Sequence, residues 1–236
     1  MKPRIATLLV MVSVVMFSMA RVATAGPLED ADAFFKRKDF VTAEKLYRRL
    51  AEQGNADAQW VLGRNYQYGA GVDQDSKEAL KWYRLAAEQG NANAQLNLAL
   101  MFHDGLGVPG DIKEAVIWYR LSAQQGNPDA QLHLGVLYRD GRGIPQDYKE
   151  AVKWYRLSAE QGNTIAQWSL GLMFQKGMGV PQDLVRSHMW YNLSSIIDSY
   201  HAKDRDEVAK IMTSSQIAQA QAMATKCYAL NFKSCD

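Results

Sequence analysis

The feature that most constrains this chain is a strict internal period of 36 residues. Ala58-Gln59, Ala94-Gln95, Ala130-Gln131 and Ala166-Gln167 recur in that register. Gly69, Gly105, Gly141 and Gly177 keep it, as do Gly71, Gly107, Gly143 and Gly179. Trp82, Trp118, Trp154 and Trp190 come next, each with a tyrosine after it, and no insertion breaks the pattern from residue 58 to about 195. A fixed period of this length means a stack of like units, each too small to bury its own apolar face and stabilised by its neighbours.

Within a unit the spacing is helical. In the copy at 94–129, Ala94, Leu98, Met101 and Phe102 fall at i, i+4, i+7 and i+8, one apolar stripe of a helix ending near Asp104. Gly105 and Gly107 provide positive-φ positions that turn the chain, and Pro109 confirms the break. Asp111 with Glu114 reads as a capping box opening a second helix, as do Asp75 with Glu78 and Asp147 with Glu150. That helix is expected to bury Ala115, Trp118, Tyr119 and Ser122 and to stop at Gly126-Asn127. Gly63, Ala99, Gly135 and Gly171 allow close helix approach, while Tyr66, Phe102, Tyr138 and Phe174 fill the space between pairs.

The predicted organisation is all-α: a solenoid of helix-turn-helix repeats with a C-terminal helical cap. A degenerate unit at 26–57 turns tightly at Lys36-Arg37-Lys38-Asp39, repeats occupy 58–93, 94–129, 130–165 and 166–201, and the cap takes 202–236. In the cap, a short helix is expected around 204–211 and a last one to about Leu230, opened by a Thr213/Gln216 capping box. Tryptophan at the centre of the array, Trp118, is expected to contribute more stability than Trp190 beside the cap.

Lys2 and Arg4 precede an apolar run from Ile5 to Ala20, and Ala23-Thr24-Ala25-Gly26 supplies small residues for a cut after Ala25. This is the pattern of a secretory signal at 1–25, directing a periplasmic or secreted protein. The alternative is an uncleaved anchor, but the run is shorter than the roughly 20 apolar residues a spanning helix needs. The segment holds Lys2, Arg4 and Arg21 and no acid, so the rest of the chain carries 24 basic against 25 acidic residues. Near-zero net charge gives no electrostatic basis for a nucleic-acid partner, and membrane association would require an uncleaved signal. In an oxidising compartment Cys227 and Cys235 could form a disulfide closing a short loop remote from the repeats; the other reading is two thiols in a tail.

The consensus A-Q-x-x-L-G-x-x-Y-x-x-G-x-G-V-x-x-D-x-x-E-A-x-x-W-Y-x-x-A-A-x-x-G-N resembles the Sel-one-like repeat, a relative of the tetratricopeptide repeat. One copy carries it in Ala58-Gln59, Leu62-Gly63, Tyr66, Gly69, Gly71-Val72, Asp75, Glu78-Ala79, Trp82-Tyr83 and Gly90-Asn91. The likeness covers about 28–200, and MTSSQIAQAQ resembles the cap that often ends such repeats. It implies a right-handed α-solenoid and a role in protein–protein interaction; the expected protein is a monomer that binds a protein or peptide. In the related tetratricopeptide units the first helix of each pair lines the concave face at the third, seventh and tenth positions. Counted from the Ala-Gln pair, the third position gives Trp60, Leu96, Leu132 and Trp168, of which Leu96, Leu132 and Trp168 could equally pack between repeats. The seventh gives Arg64, Leu100, Val136 and Leu172, and the tenth Gln67, His103, Arg139 and Gln175. Arg64 and Arg139 could hold carboxylates of an extended partner while Trp60 and Trp168 take apolar side chains.

Catalytic chemistry has little to rest on. Gly105-Leu106-Gly107-Val108-Pro109-Gly110 satisfies G-x-G-x-x-G, but it comes after a helix where a dinucleotide site needs a preceding strand, so it reads as a turn. A cysteine-rich branch of the resembled family is associated with penicillin binding and β-lactam hydrolysis, which makes a cell-wall or β-lactam hydrolase the alternative function. The chain lacks S-x-x-K, K-T-G and the paired cysteines of that branch. His103, His133, His188 and His201 occupy different repeat positions without metal-ligand spacing. Asp104 and Asp140 hold equivalent positions in neighbouring repeats and read as solvated helix ends before ligand contacts. The expectation is no catalytic residue, no cofactor and no metal.

Overall fold

In the computed structural model, residues 26–233 and Cys235 are described, and the expected export signal lies outside them. Among the described residues there are twelve α-helices and no strand. The first ten form five antiparallel pairs: α1 (Pro27–Lys36) with α2 (Phe40–Glu52), α3 (Ala56–Tyr68) with α4 (Ser76–Glu88), α5 (Ala92–Asp104) with α6 (Ile112–Gln124), α7 (Pro128–Asp140) with α8 (Tyr148–Ala159), and α9 (Thr164–Lys176) with α10 (Leu184–Ile197). Each packs on its pair partner, and each second helix packs on the first helix of the next pair, which is the solenoid arrangement.

The first helices begin two residues before the Ala-Gln pair. Asn55, Asn91, Asn127 and Asn163, read in sequence as the stop of one helix, cap the next: their side chains accept from the amides of Ala58, Ala94, Ala130 and Ala166. Structural repeats therefore run from 56, 92, 128 and 164. Asp75, Asp111 and Asp147 cap the second helices through their side chains, but the expected reciprocal bond from glutamate is not made. The amides that Glu78, Glu114 and Glu150 would take already donate to the carbonyls of Tyr66, Phe102 and Tyr138 at 2.8–2.9 Å. The glutamates turn instead along the helix to Lys81, Trp118 and Lys153.

Two glycines of the loop serve different ends. Gly105 closes α5 in the left-handed region at φ 72°. Gly107 lies where a Cβ would stand 2.5 Å from the carbonyl oxygen of Ser76, so it lets one repeat's loop sit on the start of the preceding second helix. Gly63, Gly135 and Gly171 accept the rings of Tyr83, Tyr155 and Tyr191, since a Cβ at any of them would lie 2.6–2.7 Å from a ring carbon.

Neighbouring units are tied by buried glutamines. Gln59, Gln95, Gln131 and Gln167 donate to the carbonyls of Ala51, Ala87, Ala123 and Ala159 in the last turn of the preceding second helix. Gln89, Gln125 and Gln161 donate in turn to the side-chain oxygens of Gln59, Gln95 and Gln131. Ile197 stands where the next donor would be, and the Gln167 oxygen is left without a bond.

The end of the array is covered by a short 3-10 turn (Ser199–His201), α11 (Ala202–Ala209) and α12 (Ser214–Ala229). The turn starts this segment earlier than the expected helix at 204–211. The Thr213/Gln216 capping box is formed. α12 packs on α10, where Leu193 is 1% exposed, while its counterparts Leu85, Leu121 and Leu157 are 39–45% exposed. Cys227 and Cys235 are joined by a disulfide, with Cα atoms 4.8 Å apart. The loop it closes is not remote from the repeats: both cysteines are buried in the same apolar cluster as Trp190, and Phe232 lies against Gly162 between α8 and α9.

This packing reverses the expected ranking of the tryptophans. Trp190 is fully buried beneath the cap, whereas Trp118 is only half-buried. Trp190→Ala should cost about 3–5 kcal/mol, and Trp118→Ala distinctly less, in equilibrium urea unfolding. A larger loss at Trp118 would show that position in the array outweighs burial.

Candidate binding face of the first helices

The ten residues expected to contact a partner are all half-buried, at the surface of α3, α5, α7 and α9. Local register puts them there, because the third, seventh and tenth positions lie between the stripe packed on the second helix and open solvent. Of the two ambiguous third-position leucines, Leu132 is buried at 8% exposure and Leu96 packs partly against the core.

Both third-position tryptophans already hold a hydrogen bond. Trp60 Nε1 donates to Asn97 Oδ1 of the next repeat at 2.9 Å. Trp168 Nε1 donates to Asp204 Oδ2 of α11 at 2.8 Å, and its ring stacks on His201 with centroids 5.9 Å apart. Asp204 thus does for Trp168 what Asn97 does for Trp60, and the cap closes this end of the face. At the seventh position, Leu100, Val136 and Leu172 give one aliphatic side chain per repeat, and the Arg64 guanidinium lies 5.1 Å from the centre of the Trp60 ring.

The tenth position divides the array. Gln67 and Gln175 accept from the hydroxyls of Tyr83 and Tyr191 at 2.7 and 2.9 Å. In the two central repeats the equivalent residues turn to the next side chain along: His103 Nδ1 lies 2.8 Å from Asp104 Oδ1, and Arg139 pairs bidentately with Asp140 at 2.7 and 3.1 Å. Asp104 and Asp140 are therefore partners of face residues, not merely solvated ends. The hydroxyl of Tyr119 is left buried without a hydrogen bond, and that of Tyr155 has no glutamine acceptor and lies beside Ser169.

Sequence reasoning missed the fourth position. His133 stacks on Tyr119 of the preceding repeat with ring centroids 5.0 Å apart, and His103 approaches the same ring edge-on at 6.4 Å. Asn97 and Ser169 hold the equivalent places, Asn97 as the acceptor of Trp60. The signal available was chemical variation at one register position, which runs Val61, Asn97, His133 and Ser169, the criterion applied at the other three. Burial lowers the His133 and His188 imidazoles below their ordinary value, pushes the Tyr155 phenol up to about 12 and raises those of Tyr83, Tyr119 and Tyr191.

The remaining chemistry is sparse. Among the described residues, no group of three or more His, Cys, Asp or Glu is placed to hold a metal ion, and no helix is long and apolar enough to cross a membrane. The G-x-G-x-x-G stretch is the loop between α5 and α6.

The family model of the Sel1 repeat matches residues 33–55, 56–91, 92–127, 128–163 and 164–195. The crystal structure of c5321, a protective antigen present in uropathogenic Escherichia coli strains and displaying an SLR fold, superposes with a TM-score of 0.75 and 35% identity over 81% of this chain and 41% of that one. A Sel1 repeat protein from Oxalobacter formigenes superposes with a TM-score of 0.69 and 31% identity over 87% of this chain and 77% of that one. This chain thus spans about two-fifths of the length of the Escherichia coli protein. Among curated proteins, none matches the chain.

The tyrosines and the buried imidazoles each lead to a measurable outcome. Tyr83→Phe should cost about 1 kcal/mol through loss of the bond to Gln67, whereas Tyr119→Phe removes a buried hydroxyl that bonds nothing and should be neutral or stabilising in the same unfolding assay. For the imidazoles, the folded-state pKa lies below the unfolded one, so the unfolded chain binds more protons. Their contribution is present above the ordinary value of 6.5 and is lost as the pH falls through and below it. The urea midpoint should therefore be lower at pH 5 than at pH 7.5, and His133→Gln should shrink that difference; a difference unchanged by the substitution would remove His133 as its source.

Proposed function

Because this chain belongs to the Sel1 repeat family, we propose that it is an exported, non-catalytic, monomeric scaffold that binds an extended segment of a protein partner along the concave face of its first helices. The observation that carries this reading is the contrast between two sets of positions. Those that build the stack repeat almost unchanged: the buried glutamine, the loop glycines, the tyrosine on its small residue. Those on the first-helix face differ from repeat to repeat, running Arg64, Leu100, Val136, Leu172 at the seventh position and Gln67, His103, Arg139, Gln175 at the tenth. A surface of half-buried aliphatic and aromatic groups interrupted by single polar residues suits peptide recognition, where a few buried contacts dominate affinity.

Export is supported by the basic and apolar start of the chain with its small-residue cleavage pattern, and by the disulfide, which an oxidising compartment maintains. The buried phenols, raised by desolvation, are poor general bases near neutral pH, and no serine–lysine pair for acyl transfer is present in the sequence.

A photo-crosslinking side chain placed at Val136 in intact cells should capture a partner recovered with the envelope fraction. The same group at Ile117, exposed on α6, should not. Capture from 117 and none from 136 would move the binding surface to the second helices, and nitrocefin turnover abolished by a single substitution would make the chain a hydrolase.

A further inference from the structure

The first-helix face is electrostatically asymmetric, and its asymmetry comes from which charges are already satisfied. Arg139 is held by both oxygens of Asp140. At the cap end, Trp168 is covered by His201 and bonded to Asp204. At the other end, Arg64 has no ion-pair partner among the described residues. Its guanidinium is held over the Trp60 ring, and Trp60 is itself fixed by Asn97, so the planar fork is presented in one orientation.

Arg64 lines a hollow of about 370 Å³ between α1 and α3. Two acids share that hollow and keep their charge: Asp32 accepts from the Tyr47 hydroxyl at 2.5 Å and Asp57 from Asn91 Nδ2 at 2.8 Å, which turns both toward neutral donors and not toward Arg64. Lys36 adds a second cation from the opposite wall, on α1. A half-buried arginine with its donors unspent, beside a concavity, is suited to a carboxylate, which it can take in two parallel hydrogen bonds.

The spacing of the seventh-position residues sets the rest of the ligand. From Arg64 that position continues as Leu100, Val136 and Leu172, one per repeat. Packed helices lie about 8–10 Å apart, and the Trp60–Asn97 bond shows that consecutive first helices are near enough to touch through side chains. An extended peptide advances about 3.3 Å per residue, so about three residues carry it from one repeat to the next.

Resting on the reading of this face as the partner site, we propose that the bound segment carries a carboxylate held by Arg64 and aliphatic side chains three and six residues away, seated on Leu100 and Val136. The cap end is closed, so the acidic anchor lies at the α1 end and the apolar residues run toward α9. Arg139, already neutralised, takes no part in the anchoring.

A library of random dodecapeptides with blocked termini, selected on the full chain, tests this directly. The selected pool should be enriched in an Asp or Glu spaced by three and six residues from aliphatic positions, in one chain direction. Selection on Arg64→Gln should remove the acidic preference while keeping the aliphatic one, and individual peptides should lose at least tenfold in Kd. Arg139→Gln should change neither. Arg64→Lys, which keeps the charge without the fork, should recover part of the affinity, and equal melting curves for all three variants would separate binding from folding. An acidic preference that survives Arg64→Gln, or disappears with Arg139→Gln, overturns the proposal. So does a pool without the three-residue spacing. Val136→Asp distinguishes the two levels: a pool indifferent to it, or no enrichment at all, overturns the face as the partner site together with this anchor. A pool that needs Val136 but not Arg64 overturns the anchor alone.

Discussion

The buried glutamine at the second position of each repeat is the contact on which the stack depends. A helix of 13 residues ends with carbonyls that have no partner within the helix, and where the next repeat packs on that end, water is excluded from them. Gln95 reaches back to the carbonyl of Ala87, and its own oxygen is satisfied by Gln125 from the second helix of its repeat. One side chain therefore links the end of one unit, the start of the next and the far helix of that next unit. Leaving a buried polar atom unbonded costs about 1–3 kcal/mol, so the link is strongest where all its members are present. It couples neighbours without coupling distant units, as in other arrays in which each unit touches only the adjacent ones.

The same logic explains the two ends. At the α1 end the degenerate unit lacks the glycine loop, yet it still presents the Ala51 carbonyl to Gln59, so the ladder starts there. At the other end Ile197 replaces the glutamine donor and the ladder stops, with Gln167 left half-satisfied. The capping segment after Ile197 is not another repeat, but it reproduces two features of one. α12 covers Leu193 and Trp190 with small residues including Ala220 and Ala224, and Asp204 supplies to Trp168 the acceptor that Asn97 supplies to Trp60. The disulfide and Phe232 secure this cover by bringing the tail back to the turn between α8 and α9.

The chemistry of the first-helix face arises where the repeat departs from itself. In the outer repeats a tyrosine hydroxyl finds a glutamine. In the two central ones the tenth residue is His103 or Arg139, each with an aspartate next in the chain that draws it away. The tyrosines beneath keep their place because Gly135 still makes room for Tyr155, but their hydroxyls have lost the acceptor. His133, from the next repeat, then packs flat on Tyr119. One substitution in the repeat thus changes the surroundings of residues on three helices.

Much of this was legible in the order of residues, because helix periodicity, loop glycines and a 36-residue register are one-dimensional properties. They determined the helix pairs, the units, the capped last helix and the residues at the surface of the first helices. They could not determine whom each polar atom would meet. Glu114 was expected at its cap, but the amide it needed belongs to Phe102 across the loop. Trp118 and Trp190 occupy the same register, and the second, packed beneath the cap, is buried more deeply than the first. Arg64 and Arg139 were indistinguishable as arginines at face positions until the fold placed one beside Asp140 and the other over Trp60. Local sequence sets which face a residue takes because that depends on backbone rotation per residue, whereas hydrogen-bond and ion-pair partners depend on distances between helices that only packing fixes.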